Sequence, residues 1–157
     1  MDNETTGDVA AKELMVRRNS RREFEAFCKR IGSHSIADHH KFLIKRLESV
    51  ESGEVKRLMI FMPPGHAKST YASVLFPPWY LGRNPAKQLI GASHTAELAE
   101  SFGRRVRNTV TSTEFSGIFS IQLAGDSQAA GRWGLVQGGE YFGVGVGGRI
   151  TGRRAGG

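Results

Sequence analysis

The hydrophobic positions of this chain fall into three stretches of different character. From Val9 to Ile31 they recur at helical spacing, with Leu14, Phe24 and Phe27 set among many Lys, Arg and Glu residues. That pattern predicts a helix over residues 9–31, broken by Gly32 and Ser33. Residues 1 to about 8 carry too little apolar character to predict order. A second helix is expected over residues 36–50, with Phe42, Leu43, Ile44 and Leu47 as its apolar stripe and Gly53 closing it.

The middle stretch alternates between two periods. Residues 57–62, RLMIFM, are a short and nearly continuous apolar run, the signature of a strand buried on both faces of a parallel sheet. PPGHAKST follows at once, then an expected helix over residues 69–76 that Pro77 and Pro78 end or kink. Residues 87–92, KQLIGA, read as a second strand. Ser93 or Thr95 is placed to cap the next helix, with Glu97 in its first turn, where the helix dipole favours an acid. Leu98, Phe102, Val106 and Val110 recur every four residues on one face, and Arg104, Arg105 and Arg107 lie off it. Strand, loop, helix, strand, helix is the order of an α/β parallel sheet.

In the last third, residues 133–136 and 141–146 predict two strands around a Gly138-Gly139 turn. Nine of the last twenty residues are glycine. Tyr141, Phe142, Val144, Val146 and Ile150 are interleaved with them, which favours a hairpin with tight turns over a flexible tail. There is no internal repeat.

Composition narrows the class. The hydrophobic share of 39% and charged share of 24% are those of an ordinary globular chain of 157 residues. No apolar run nears the ~20 residues of a membrane helix, and the acidic, polar start MDNETTGDVAAKE is not a secretory signal. The expectation is a protein that is neither membrane-bound nor secreted. Cys28 stands alone, so no intrachain disulfide forms, which suits a reducing compartment. Its neighbours have helical spacing, and it reads as core filler rather than as a nucleophile. The net charge of +7 attracts polyanions, nucleic acid foremost, though the charge is spread along the chain.

The candidate chemistry centres on residues 63–70. A nucleotide's phosphates need inward-pointing amides, a positive charge and a hydroxyl for Mg²⁺, and a strand–loop–helix turn supplies the amides. Lys68 is placed to reach the β- and γ-phosphates of ATP, Ser69 to hold Mg²⁺, and Gly65 to relieve the turn. Pro64, Gly65, His66, Ala67, Lys68, Ser69 and Thr70 form the candidate binding set. The match to G-x-x-x-x-G-K-[ST] is partial: Met62 stands at the first glycine and Ala67 at the second, so only Lys68 and Ser69 fit strictly. His66 lies inside the loop. His34, His39, His40 and His94 show no metal-ligand spacing and read as structural or surface residues, with His94 at the strand edge where α/β sheets bind ligands.

Taken together, RLMIFMPPGHAKSTYASVLFPPWYLGRNPAKQLIGASHTAELAESFGRRVRNTV and the later block from Trp133 through GGEYFGVGVGGRITGRRA resemble the N-terminal ATPase region of phage terminase large subunits. The resemblance runs from about Ala37 to Ala155 and rests on separated blocks in the family's order. It implies a P-loop NTPase of the ASCE type, a parallel sheet flanked by helices, with residues 1–35 as a helical, partly disordered lead and 36–157 as the front of the ATPase domain. It implies ATP and Mg²⁺ at residues 63–70, with Lys68 catalytic. It further implies double-stranded DNA, a terminase small subunit and a portal protein as partners, a ring of subunits, and the host cytoplasm as the location. The region of His39 and His40 matches one that lies near the nucleotide base in the family.

The departures set further expectations. Gly65 stands where an arginine is common, and Arg104, Arg105, Arg149, Arg153 and Arg154 are candidate substitutes. The family's Walker B acids and nuclease domain are not present in the 157 residues. The expectation is therefore an incomplete sheet, an open edge beside residues 57–62, and impaired hydrolysis. A non-catalytic remnant that binds DNA or other subunits is the reading from another class. A helicase-type motor is a further alternative, disfavoured by the glycine-rich block after Trp133.

Overall fold

The helical pattern at the front of the chain resolves into two helices in the computed structural model, which describes residues 6–32 and 35–147. Helix α1 spans Thr6–Arg22 and α2 spans Phe24–Ile31. Between them Glu23 is extended, with φ −116° and ψ 123°. The single helix expected over 9–31 is thus corrected, and so is disorder at residues 6–8. The break has a packing cause. The Phe24 amide donates to the Glu48 carboxylate at 2.6 Å, and the new axis places Phe24, Phe27 and Cys28 in the core. Burial raises the Cys28 thiol far above its ordinary pKa, with Glu48 and Glu25 adding to the effect. The thiol is therefore inert filler. Residues 1–5 and Ser33 lie outside the described residues.

Helix α3, Asp38–Glu51, buries Leu43, Ile44 and Leu47. Phe42, expected on the same stripe, is 63% exposed. It instead lies beneath the Arg46 guanidinium, 5.1 Å from the ring centroid. Gly53, at φ 80°, turns the chain out of the helix as expected.

After the candidate loop, residues Thr70–Leu75 form a wide π-type turn that runs directly into α4, Phe76–Arg83. Pro77 and Pro78 occupy the first turn of α4. They do not end the helix, because the first turn needs no amide donors. The Phe76 amide reaches back five residues to the Tyr71 carbonyl, so the change of register falls just before the prolines.

Strand β1 is Gln88–Ser93, followed by α5, Ala96–Val110, which Thr95 caps by accepting from the Leu98 amide at 3.2 Å. The buried face of α5 is Ala99, Gly103, Val106 and Val110. The expected stripe holds at Val106 and Val110, but its first half shifts by one position: Ala99 and Gly103 are buried and Leu98 is left 45% exposed. Small residues win the contact face because the helix lies against backbone. A Cβ on Gly103 would come within 2.5 Å of the Ala130 carbonyl oxygen. Helix α6, Thr113–Ile118, and strand β2, Leu123–Ala129, follow. Strands β3, Arg132–Leu135, and β4, Glu140–Gly145, form the expected hairpin, with Gly138 at φ 92° in its turn.

The sheet order is β1-β4-β3-β2. β1 and β4 are parallel, with Gln88 opposite Glu140 and Ser93 opposite Gly145. The β3 pairings to β2 and β4 are antiparallel. The sheet is therefore mixed, not parallel throughout, because β2, β3 and β4 follow one another through short turns and only the β1-to-β4 connection carries helices. Helices flank it, so the fold is mixed α/β. One core joins the two halves: Phe24, Phe27, Trp79, Phe115 and Phe119 meet Trp133 and Tyr141 in a single buried cluster.

The run at 57–62 departs most from expectation. It is extended but belongs to no ladder among the described residues. Leu58, Ile60 and Met62 pack against the core, while Met59 and Phe61 are 79% and 84% exposed. The apolar run is thus buried on one face only, and its expected place within a sheet is corrected. No strand among the described residues pairs with it.

Candidate phosphate-binding loop

Met62, half-buried, anchors the start of the loop, and Ala67 packs its methyl group against the core at the far end. Between them the chain turns through two left-handed residues, Gly65 at φ 82° and Ala67 at φ 54°. Glycine adopts that region freely, whereas an L-residue there costs about 1–2 kcal/mol. Ala67 is the one non-glycine residue with positive φ among the described residues. The second glycine of the usual motif is therefore missing from the sequence while the backbone shape it serves is present.

That shape leaves donors free. The amides of Gly65, His66, Ala67, Lys68 and Ser69 have no backbone acceptor among the described residues. The Ala67 carbonyl accepts from the Tyr71 amide at 3.1 Å, which starts the helix directly behind them. Ser69 makes no side-chain capping bond, so its hydroxyl is available. Lys68 is exposed and makes no ion pair among the described residues. Residues Met62 to Thr70 line an open cavity of about 600 Å³. Free amides at a helix N-terminus, with an unpaired ammonium beside them, are the donors that an anion site needs.

Pro64, Gly65, His66, Lys68, Ser69 and Thr70 all lie on this cavity with Ala67, so the candidate set is brought together. Among the described residues no three His, Cys, Asp or Glu side chains are grouped to hold a metal ion. The donor set still fits Mg²⁺ in the manner of nucleotide sites, where one hydroxyl and the phosphate oxygens hold the ion and water completes the shell.

A cluster of rings borders the loop, which the spacing of the histidines did not reveal. His39 lies 4.0 Å from His40 and 5.6 Å from His66 by ring centroids. His40 lies 4.7 Å from Tyr71, in the π-type turn. The His66 Nδ1–H donates to the Pro64 carbonyl at 3.1 Å. Burial holds the His40 pKa below its ordinary value, and the charge of His39 adds to this. These residues lie up to about 32 positions apart, so only the fold brings them together.

His94 is exposed after β1, and no hydrogen bond or ring contact among the described residues ties it to the loop. Arg104 and Arg105 are exposed on α5. His34, Ile150, Arg149, Arg153 and Arg154 lie outside the described residues. No helix among the described residues is long and apolar enough to cross a membrane. No family model, no curated protein and no solved structure matches the chain.

Proposed function

We propose that residues 63–70 bind the phosphates of a nucleotide, and that the chain is the front of the ATPase of a phage DNA-packaging motor. The observation that carries the first part is the left-handed Ala67. The chain accepts strain there, and among the described residues the amides of Gly65 to Ser69 at the start of the helix have no backbone acceptor. The second part rests on the sequence blocks that resemble terminase large subunits.

In this reading the amides of residues 65–69 donate to phosphate oxygens, and Lys68 balances their charge. The Ser69 hydroxyl would hold Mg²⁺, which when bound neutralises charge that develops on the phosphates. Double-stranded DNA, a small subunit, a portal and a ring of like subunits are the partners this reading brings, with the host cytoplasm as the setting.

Titration of a fluorescent ATP analogue with Mg²⁺ tests the proposal. Saturable binding is expected, weakened at least about tenfold in Lys68→Ala, since a charged hydrogen bond is worth about 1.5–3 kcal/mol. Equal binding by the wild type and the variant would overturn the assignment of the loop. Retention of DNA on filters with no nucleotide binding would instead favour a non-catalytic DNA-binding protein.

A further inference from the structure

The chemistry of His40 follows from what its ring touches. His40 is the third residue of α3, and its Nδ1 accepts from the amide of Ala37, the residue that caps the helix, at 3.3 Å. An amide can only donate, so Nδ1 carries no proton and the neutral ring holds its hydrogen on Nε2. The same Nδ1 lies 3.4 Å from the Tyr71 hydroxyl, which then donates to it. Nε2 is buried and has no hydrogen-bond partner among the described residues. His40 therefore ties two things together: the start of α3 and the first residues of the helix behind the loop.

We propose that His40 is a positioning residue for the phosphate loop, holding the start of the helix behind the loop through the Tyr71 hydroxyl and the Ala37 amide while the imidazole is neutral, and shifting it when Nδ1 gains a proton. A protonated Nδ1 would set donor against donor at the Ala37 amide. It would also place a positive charge at a helix N-terminus, the end that disfavours one. Burial and the neighbouring His39 already disfavour the charged ring, and the His66 backbone opposes them weakly.

The charged and titratable groups around the ring come from three sides. On α3 they are Asp38, His39 and Lys41, of which Asp38 and Lys41 pair at 2.8 Å. The loop brings His66 and Lys68. From the core side, Cys28 acts on Tyr71 and Glu25 on Lys41. The Asp38–Lys41 pair cancels locally, and Cys28 stays a thiol.

The effect on ligand binding rests on the reading of residues 63–70 as a phosphate site; the effect on the loop itself does not. The test has two arms. In the first, the imidazole signals of His40 and the amides of residues 65–68 are followed by NMR from pH 8 to pH 5 in the full chain. The amides are expected to shift with the His40 midpoint. That component should vanish in His40→Asn, which keeps the Nδ1 acceptor, and in His40→Gln, which keeps the Nε2 donor. Using both keeps the test alive if one variant does not fold.

In the second arm, inorganic pyrophosphate is titrated at each pH. Protonating His40 should weaken binding about two- to tenfold in the wild type relative to His40→Asn, the range of one net hydrogen bond. Loop amides that ignore the His40 midpoint overturn the proposal, whether or not pyrophosphate binds. Amides that follow it, with no pyrophosphate binding at any pH, support the positioning role and overturn the phosphate reading instead.

Discussion

The sheet and the strap at residues 57–62 are both extended and apolar, yet they are held by different forces. β4 sits between β1 and β3, with its backbone paired on both sides, and Trp133 and Tyr141 stack across the hairpin at 5.2 Å. Among the described residues the strap has no ladder, and three half-buried side chains, Leu58, Ile60 and Met62, pack against the core. The sheet is fixed by hydrogen bonds and packing together, the strap by one apolar face alone. The candidate loop hangs from the weaker of the two, so its geometry depends on contacts at its far end, at Ala67 and Tyr71.

The largest effect that tests this contrast is at Trp133. It is fully buried, and its indole N–H donates to the Gly103 carbonyl at 3.2 Å. Trp133→Ala should cost about 3–5 kcal/mol, read as a lower midpoint in denaturant unfolding. A loss below about 1 kcal/mol would mean that the sheet does not carry the stability assigned to it.

A smaller effect concerns pH. The fold prefers the neutral His40 ring, so the unfolded chain takes up the proton first. Its contribution is complete well above pH 6.5, the ordinary value. It declines as pH falls through that value and levels off once the folded ring is protonated. Thermal unfolding of wild type and His40→Asn across this window should show the wild type losing more Tm on acidification. Parallel curves would show that the ring is not held in its neutral form.

These contrasts also show what the sequence could reveal. The hairpin at residues 132–145 was legible because alternating apolar residues and paired glycines are local signals. Strand β1 and the Thr95 cap were legible for the same reason. Strand β2, LAGDSQA, was missed because it lacks alternation and gains its place only by pairing with β3. Helix α6 is short, six residues, and its Ser112 cap was the only local cue. The loop's residues could be named from the sequence, but its left-handed Ala67 could not, since alanine gives no hint of positive φ. The histidine cluster joins α3 to the loop across the fold and leaves no mark in spacing.

Ala67 offers a finer test at the strap's far end. Ala67→Gly removes a strain of about 1–2 kcal/mol and adds backbone freedom to the unfolded chain worth about 0.4–1 kcal/mol. The net expectation is a gain of up to about 1 kcal/mol in denaturant midpoint. A clear loss would mean that the Ala67 methyl group's contact with the core outweighs the strain.

The smallest expected effect is the sharpest test of how the strap is held. Phe61 is 84% exposed and Met59 is 79% exposed, so neither side chain contributes much to the core. Phe61→Ser and Met59→Ser should each change stability by no more than about 0.5 kcal/mol. Ile60→Ser, on the inward face, should cost clearly more, because it removes one of the side chains that pack the segment against the core. Amide exchange supplies the backbone half of the test. Amides of residues 57–62 should exchange faster than those of Tyr141 to Val144, which lie in the paired centre of the sheet. If Phe61→Ser were as damaging as Ile60→Ser, or if the strap amides were as protected as those of β4, then both faces of the strap would be covered. Residues 57–62 would in that case be a sheet strand, with a partner on each side, and not a strap.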